Sequence, residues 1–533
     1  MADIKILDCT LRDGGFVNNW EFGYSCINNI VNRLNNAHVD IIEIGYIRNY
    51  VSYNEDSTQF PNVTSIDQSL INKKYDSMIV ALMDFGDCTI DEICDRKDSI
   101  IDGIRITFRK ERIDEALLLS RKIKEKGYKI FLQPVAITDY NGSDTIKLIE
   151  KINHIDPYAV CIVDTYGFMN RHDLEKYFYL FDSSLNQKIA LGYHSHNNYQ
   201  LSYANAISLI EMSTKRCLII DSSTFGMGKG AGNLNTELIT AYLNTNYEYH
   251  YGINDIVEII SIYLEDERNK NFWGYGLRYF LAANSNVHHN YVKYLLDKKT
   301  LTVKSINKIL EMIDDEKKTR YDEEYIEKLY EVHQNKLIDD ESVYTKLRRF
   351  IGEREVLILA PGNTLSEYKR NVNDYALQKN PCVISVNHII DLYKCDILFI
   401  SNAIRYSQME VEMESMKEKI DVIATSNISF ASVKPDYVVK YQELLMNDAK
   451  IKDSAVIMLM KLLYKLGYHN VSIAGFDGFT EDKNDKNYYS KGKSLGLNAK
   501  SATENIKDAL EHLPQDFEIK FITPSLYEKE EER

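Results

Sequence analysis

The feature that most constrains the fold is a series of short apolar runs that alternate with amphipathic segments in the first half of the chain. The runs are rich in β-branched residues, and the segments between them repeat apolar residues every three or four positions, as helices do. The eight runs cover residues 4–11, 39–47, 78–85, 103–108, 129–137, 159–165, 188–193 and 217–222. Eight successive strand–helix units predict an α/β fold with a closed (β/α)8 TIM barrel, and an open doubly wound sheet is the alternative.

The rest of the sequence divides into a helical stretch and a second α/β region. After a barrel domain at 1–248, residues 249–352 lack strand signals and predict a helical extension and linker. From 353 to 533, apolar runs such as EVLILA alternate again with helical segments, which predicts a Rossmann-like nucleotide-binding or transferase-like domain. A length of 533 residues exceeds the size of a typical single core and agrees with this division.

Charge and cysteine content exclude several classes of protein. A net charge of −15 opposes a nucleic-acid-binding surface and adhesion to anionic membranes. Apolar runs fall short of the roughly 20 residues that span a bilayer, and the first residues begin a strand rather than a signal peptide. The eight cysteines form no CxxC pair, which predicts reduced thiols. We therefore expect a cytoplasmic protein without a membrane span or a nucleic-acid partner.

Two histidines at the end of the seventh run, in the sequence GYHSHNN, predict a metal site. His194 and His196 are two residues apart, so in an extended chain both side chains point to the same side. The carboxyl end of a barrel strand faces the mouth, where barrel active sites lie. Asp13 is the natural third ligand because only the eighth strand separates strands one and seven. Two imidazoles and a carboxylate suit a divalent metal and leave positions open for a substrate.

Two further features of the predicted mouth concern substrate binding. Arg12 cannot be deprotonated, so it suits stabilisation of an oxyanion or enolate rather than proton transfer. The loop FGMGKGAGN after the eighth run has two interpretations. Its glycines either supply positive φ angles, or Gly228 and Gly230 let a small substrate approach the backbone while Lys229 attracts an anionic group.

Four motifs, LDCTLRDGG, IIEIGY, GYHSHNN and GMGKGAGNLNTE, occur in the order and spacing of the DRE-TIM metallolyases. Residues 1–245 thus resemble the superfamily of hydroxymethylglutaryl-CoA lyase, isopropylmalate synthase and 4-hydroxy-2-oxovalerate aldolase. The resemblance implies a TIM barrel, a divalent metal, and C–C bond cleavage or formation through an enolate. The expected metal is Mn²⁺ or Mg²⁺, with Zn²⁺ or Co²⁺ as alternatives.

The resemblance also implies roles for individual residues. Arg12 resembles the enolate-stabilising arginine, and Glu43 matches a glutamate that some members place near metal and substrate. The implied metal-site residues are Asp13, His194, His196 and Asn233.

Departures from the family patterns concern the residue that moves a proton. The lyases carry a cysteine in the glycine loop, which is absent here. The acyl-CoA synthases carry glutamine, and the aldolases a histidine base, at the position of Phe16. The glycine loop otherwise matches the aldolases. Another group must then transfer the proton, and the candidates are His288, His289, Tyr275, Tyr279 or a metal-bound water. The histidine pair is favoured because the aldolases close the site there with a helical extension.

In the second region, the turn in LAPGNTL enters a helix whose N-terminus suits an anion. Together with SVNHII and SAVIMLMKLLYKLGYHNVSIAGFDGF, it resembles bacterial sialyltransferases and hydroxymethylpterin diphosphokinase-like proteins. The resemblance implies nucleotide contacts at Gly362, Asn363, Thr364 and Asn387. Candidate catalytic residues are His388, Tyr488 and Tyr489. A degenerate binding or dimerisation module is the alternative.

Together the patterns predict a bifunctional enzyme. Its barrel is a metal-dependent aldolase or lyase that acts on a 2-oxo acid and an aldehyde. Its second domain binds a nucleotide or nucleotide sugar, by analogy in surface polysaccharide biosynthesis. The alternatives are an acyl-CoA-dependent 2-oxo acid synthase of the isopropylmalate synthase type, and a non-catalytic metal-binding scaffold or sensor. We expect a homo-oligomer.

Overall fold

A computed structural model of the chain describes residues 3–72, 74–298, 301–318, 320–334, 339–390, 392–416, 419–428, 433–479 and 499–528. Tyr488 and Tyr489 lie outside these ranges. The chain forms two compact units, Met1–His289 and Asn290–Arg533. Their boundary falls inside the segment 249–352, so the first part of the expected helical extension belongs to the barrel unit.

The first unit contains a closed parallel barrel. Its strands are β1 (Ile4–Asp8), β2 (Ile41–Ile47), β3 (Gln59–Phe60), β4 (Met78–Asp84), β5 (Gly103–Phe108), β6 (Lys129–Pro134), β7 (Ala159–Asp164), β8 (Ala190–Ser195) and β9 (Leu218–Ser222). The order β1-β9-β8-β7-β6-β5-β4-β2 closes because β1 also pairs with β2, and the short β3 extends β2 on one side. The barrel prediction is confirmed, and the open sheet is wrong.

Helices connect the strands and continue past the last one. They are α1 (Thr10–Asp13), α2 (Gly15–Asn18), α3 (Tyr24–Asn36), α4 (Val63–Ser69), α5 (Ile113–Glu125), α6 (Gly142–Ile155), α7 (Arg171–Ser184), α8 (Ser202–Glu211), α9 (Thr236–Asn246), α10 (Ile253–Ile259), α11 (Glu265–Lys270) and α12 (Leu277–Asn284). Side-chain caps fix where several begin. Asn170, for example, accepts the backbone N–H of Asp173, whose carboxylate accepts the N–H of Asn170.

The interior of the barrel is filled by side chains from its strands. A buried cluster joins Leu7, Cys9, Ile41, Val80, Phe131, Ala159, Ala190 and Ile219. Because side chains alternate along each strand, the other faces of the same strands pack against the helices. The cysteine prediction also holds, since all eight thiols are free.

The second unit is built on another parallel sheet. Its strands are β10 (Val356–Leu359), β11 (Cys382–Val386), β12 (Ile397–Ile400), β13 (Asp421–Thr425), β14 (Tyr437–Val439), β15 (Asn470–Ala474) and β16 (Glu518–Phe521), in the order β14-β13-β12-β11-β10-β15-β16. The chain runs outward from β10 to β14 and returns to pair β15 with β10. The α/β class is confirmed, and its Rossmann-like character stays a prediction.

The helices of the second unit are α13 (His289–Asp297, which begins at the unit boundary), α14 (Val303–Leu310), α15 (Glu323–Gln334), α16 (Asp340–Ile351), α17 (Thr364–Glu367), α18 (Lys369–Lys379), α19 (Ala403–Met416), α20 (Ala455–Lys465) and α21 (Ala499–Glu511). The apolar α20 lies in the core of the unit, where seven of its residues are buried. Among the described residues, every helix is too short or too polar to cross a membrane.

Candidate metal centre of the barrel

Arg12 and Asp13 lie on a helical turn at the carboxyl end of β1. The strand ends at Asp8, three residues before the end of the predicted run, and Thr10–Asp13 forms α1. Trp20 fixes this turn because its indole Nε1 donates to the carbonyl of Arg12 at 2.7 Å. The following Gly15 leaves room for the indole, since a Cβ there would lie 2.0 Å from the Trp20 ring. The glycines of RDGG thus permit the close packing that orients both charged residues.

The three predicted metal ligands converge. His194 Nε2 and His196 Nδ1 each lie 3.8 Å from Asp13 Oδ2. One ligand atom from each residue falls within 4.8 Å of the other two. The fourth predicted residue, Asn233, donates from Nδ2 to Asp13 Oδ2 at 2.5 Å and forms a backbone bridge with His196. The structure therefore brings all four residues together.

The buried polar atoms of this cluster fit a divalent cation. His196 Nδ1 and Asn233 Oδ1 are buried without a hydrogen-bond partner, which is costly unless something else binds them. An imidazole nitrogen, a carboxylate and an amide oxygen are ligands that Mn²⁺, Mg²⁺ and related ions accept in proteins. The cluster is therefore a candidate divalent-metal site.

A second layer of charged residues orients the cluster. His194 Nδ1 lies 3.1 Å from Asp221 Oδ2, which leaves Nε2 directed at Asp13. Asp221 pairs in turn with Arg105, and Arg105 Nη1 lies 3.1 Å from Glu43 Oε2. Sequence reasoning missed Arg105 and Asp221. The available signal was a single charged residue inside each of the apolar runs GIRITF and LIIDS.

Glu43 connects this layer to Arg12. Glu43 Oε2 accepts from Arg12 Nε at 2.7 Å, and Arg12 Nη1 lies 3.0 Å from Asp13 Oδ1. The guanidinium is therefore held on two sides, and Nη2 is left without a partner among the described residues. Glu43 Oε1 is buried and makes no hydrogen bond.

The electrostatics set the ionisation that a metal requires. Burial alone would raise the pKa of Asp13, but the Arg12 guanidinium beside it holds that pKa well below its usual range. Burial alone would also raise the pKa of Asp221, but the Arg105 guanidinium outweighs burial and lowers that pKa. Burial lowers the pKa of His196 to about 3. Near neutral pH the carboxylates are thus ionised and His196 is uncharged, as metal ligands must be.

The glycine loop borders the cluster closely. A Cβ at Gly228 would lie 2.1 Å from Asn233 Nδ2 and 3.2 Å from Asp13 Oδ2. Gly230 has φ +74° and faces Tyr279, with 3.7 Å between its ideal Cβ position and that ring. The positive φ of Gly230 agrees with the first interpretation of the loop, and the space at Gly228 admits the Asn233 side chain. The approach of a substrate to Gly228 and Gly230 stays a prediction.

Phe16 and Lys229 lie together at the edge of the site. The Phe16 ring is 37% exposed and packs edge-on against Trp20, with 4.7 Å between ring centroids. Lys229 Nζ lies 5.3 Å from the centroid of the Phe16 ring. The position where the aldolases are expected to carry a base thus presents an aromatic ring beside an amine.

The histidine pair lies in the barrel unit, just after α12. The rings of His288 and His289 stack with centroids 4.6 Å apart, and Arg278 Nη2 lies 2.5 Å from His289 Nδ1. Burial lowers the pKa of His288 to about 4 and that of His289 to about 2, so both are uncharged near neutral pH. Tyr279 contacts His289, with ring centroids 5.8 Å apart, whereas Tyr275 is exposed.

In the second unit, a cavity of about 170 Å³ lies at the carboxyl ends of β10, β11 and β15. Two of the predicted nucleotide residues, Gly362 and Asn387, line it together with His388. Asn363 instead donates to Glu367 Oε1 at 2.6 Å.

In this unit, the turn that the sequence predicts to bind an anion is hydrogen-bonded instead to a carboxylate of the protein itself. The backbone N–H of Thr364 donates to Asp477 Oδ2 at 2.9 Å, and the Thr364 hydroxyl donates to the same carboxylate. A phosphate on this turn would have to displace Asp477. Sequence reasoning missed Asp477, although AGFDGF places it three residues after a buried strand.

The fold and the candidate metal cluster fit the class of barrels that bind a divalent cation, and comparison with known proteins agrees with the fold. Residues 103–262 match the family model described as HMGL-like. The first unit thus contains an HMGL-like domain of the DRE-TIM metallolyase superfamily.

Curated relatives are lyases that align with about half of this chain. A 4-hydroxy-2-oxovalerate aldolase from Pseudoalteromonas translucida (strain TAC 125) is 26% identical over 279 residues, 50% of this chain and 77% of the relative. An oxaloacetate decarboxylase from Mycobacterium tuberculosis (strain ATCC 25618 / H37Rv) is 22% identical over 279 residues, 51% and 79% of the two chains. Among solved structures, the N-terminal domain of a candidate aldolase from Bacteroides vulgatus has 26% identity and a TM-score of 0.49, covering 57% of this chain and 99% of that one.

Proposed function

We propose that the barrel is a divalent-metal-dependent aldolase that makes or breaks a C–C bond next to the carbonyl of a 2-oxo acid. The observation that carries this proposal is the convergence of Asp13, His194 and His196 beside Arg12 in an HMGL-like barrel. A bound divalent cation would supply Lewis-acid polarisation of the oxo group. The side chains that would hold it are those three and Asn233.

Arg12 would stabilise the enolate. Its Nε and Nη1 are fixed by Glu43 and Asp13, so Nη2 is oriented before any substrate arrives. A donor held in this way needs no reorganisation when negative charge develops on oxygen. Glu43 Oε1, which is buried without a partner, would accept a hydrogen bond from a substrate hydroxyl.

His288 would take the proton that Phe16 cannot. In the synthetic direction, one C–H bond next to the oxo group breaks and a C–C bond forms to the aldehyde carbon. The resulting alkoxide then takes up one proton, so the addition consumes no other reactant. His288 is uncharged near neutral pH and can therefore accept the first proton. The adjacent His289, whose Nδ1 contacts Arg278, is also uncharged near neutral pH.

Deuterium exchange into pyruvate tests the barrel proposal in the full chain with Mn²⁺. Enolate formation without an aldehyde should exchange the methyl protons, which NMR follows directly. Asp13→Asn should abolish exchange, whereas Asp114→Asn, an exposed carboxylate paired with Lys151, should not change it.

Four outcomes would contradict the proposal. Exchange that survives in Asp13→Asn means that this residue is not a ligand. Lack of exchange into pyruvate and other small 2-oxo acids would instead favour the metal-binding scaffold. Release of CoA thiol from an acyl-CoA and a 2-oxo acid would favour the synthase, and loss of CO₂ from oxaloacetate alone would favour a decarboxylase.

For the second unit we propose a ligand site in the cavity bordered by Gly362 and Asn387, with a nucleoside or nucleotide sugar as ligand. Its place at the carboxyl ends of parallel strands, where the strand order reverses between β10 and β15, supports a ligand site. Because Asp477 occupies the turn, any phosphate must bind elsewhere. Retention of a radiolabelled nucleotide sugar by the full chain tests this proposal, and its absence would contradict it. The polysaccharide role depends on this result.

A further inference from the structure

The first residue of the glycine loop adopts a backbone conformation that normally requires glycine. Phe225 lies three residues after β9 and has φ +59° and ψ +17°, in the left-handed region. A bulky residue is strained there, because its Cβ crowds a backbone carbonyl oxygen, and it persists only where its surroundings hold it. The contacts that hold Phe225 therefore decide the shape of the loop that borders the metal cluster.

Most of those contacts come from the helical extension that follows the barrel. Trp273 is buried between α11 and α12, and its indole Nε1 donates to the Phe225 carbonyl at 3.0 Å. The two rings meet edge-on, with 5.8 Å between their centroids. The Arg268 guanidinium lies 4.8 Å from the centroid of the Phe225 ring. The Phe225 N–H in turn donates to Glu237 Oε2 at 3.0 Å. Both polar groups of the Phe225 backbone are thus bonded, and the extension supplies one of the partners.

The next residue along the loop anchors Asn233. The Gly226 carbonyl accepts from the Asn233 N–H at 3.0 Å, and Asn233 Nδ2 donates to Asp13 Oδ2 at 2.5 Å. Trp273 reaches this point as well. A Cβ at Gly232, directly before Asn233, would lie 2.1 Å from the Gly226 oxygen and 3.4 Å from Trp273 Cδ1. A shift at the start of the loop would therefore move the carbonyl that holds Asn233 beside Asp13.

We propose that Trp273 is a positioning residue for the metal cluster. Its bond to the Phe225 carbonyl holds the strained conformation, which sets the Gly226 carbonyl and, through it, the place of Asn233. The inference rests on the divalent-metal site proposed above and adds that the helical extension stabilises that site. Without the indole donor, Phe225 relaxes toward a negative φ, and the cluster loses the arrangement that a cation requires.

The affinity of the full chain for Mn²⁺ tests the proposal without turnover, with free Mn²⁺ measured by electron paramagnetic resonance. Trp273→Phe keeps an aromatic ring but lacks the Nε1–H donor. Its affinity should fall about tenfold, the lower end of the range for groups that orient metal ligands, because Trp273 acts through intervening contacts. Phe272→Leu, at an exposed neighbouring position, is the control that should leave the affinity unchanged. Thermal melting by circular dichroism checks that each variant is folded during the titration.

A second substitution separates positioning from packing. Phe225→Gly removes the steric cost of a positive φ, so the loop no longer needs Trp273 to hold it. The double variant Trp273→Phe/Phe225→Gly should regain Mn²⁺ affinity to within about threefold of the parent, the remainder reflecting the greater backbone freedom of glycine. If Trp273 serves only to pack against Phe225, the glycine removes a second ring and the affinity falls further.

The outcomes separate this proposal from the aldolase. Deuterium exchange into pyruvate in the parent, together with equal Mn²⁺ affinity in the parent and Trp273→Phe, overturns the positioning role and leaves the aldolase. A loss of affinity that Phe225→Gly deepens also overturns the positioning role. Loss and rescue of Mn²⁺ affinity in a protein that exchanges deuterium into no 2-oxo acid supports the positioning role and overturns the aldolase.

Discussion

The two units differ in how the polar groups at the carboxyl ends of their parallel strands are satisfied. In the barrel, polar side chains from α1, β2, β5, β8 and β9 converge and leave buried atoms without partners, such as His196 Nδ1 and Asn233 Oδ1. In the second sheet, the turn after β10 donates to Asp477 and is satisfied within the protein. The difference shows that position at a sheet edge marks where a site can form. Unsatisfied buried polar atoms indicate where at such an edge a ligand would complete the hydrogen bonding.

The largest expected effect is a loss of activity on substitution of Arg12, which tests the barrel half of this comparison. Arg12→Lys keeps the charge but cannot contact Glu43 and Asp13 in one planar fork. Exchange of deuterium into pyruvate should fall by about 10²–10³-fold, the cost of losing one oriented donor. Arg171→Lys, on the exposed face of α7, should leave the rate unchanged. A rate in Arg12→Lys near that of the parent would remove Arg12 from the chemistry.

A smaller effect is expected for Asp221, which contacts His194 from behind the metal cluster. Asp221→Asn weakens the acceptor that orients His194, and affinity for Mn²⁺ should fall by about 10–100-fold. Electron paramagnetic resonance measures free Mn²⁺ in such a titration. Arg105 loses its Asp221 partner in this variant, so thermal melting checks that the barrel stays folded. Asp144→Asn, at a surface pair with Lys110, is the matched control, and equal affinity in all three proteins would contradict the orienting role.

In the second sheet, Gly362→Ala tests how closely the turn after β10 packs against Gly475 and Asp477. The new methyl group would lie 2.3 Å from the Gly475 carbonyl oxygen and 2.5 Å from the Asp477 carboxylate. Such overpacking should lower the free energy of unfolding of the second unit by about 1–3 kcal/mol, measured by urea denaturation. Gly142→Ala has open space around it and should be neutral. Loss of pyruvate exchange in Gly362→Ala would show that the two sites are not independent.

The smallest expected effect concerns pH and the neutral imidazoles of the barrel mouth. Because burial lowers the pKa of His288 from 6.5 to about 4, the unfolded chain binds more protons than the folded one between these values. Stability must therefore rise with pH from about 4 to 6.5. His288→Gln should make this slope shallower in urea unfolding at pH 4.5, 5.5 and 6.5. His172→Gln, on the surface of α7, should not. An unchanged slope would mean that His288 titrates normally.

The sequence predicts the barrel well because hydrophobic periodicity and strand count follow from local composition. It also predicts which residues converge in the candidate metal cluster, since the i, i+2 spacing of His194 and His196 fixes their common side and barrel order places Asp13 nearby. It could not reveal the links through Arg105 and Asp221. Those depend on which of several inward positions meet across the barrel, and strand register decides that. Similarly, LAPGNTL predicts a turn that binds anions, but a residue 113 positions away supplies its acceptor.

The chain of buried ion pairs behind the metal cluster has a consequence for what a bound cation would add. Arg12 and Arg105 contribute two formal positive charges, and Asp13, Glu43 and Asp221 contribute three formal negative ones, so these five paired side chains sum to −1. A divalent cation would bring the sum to +1. The ion pairs that hold the ligands in place would thus leave the loaded site with the sign that favours an anionic 2-oxo acid.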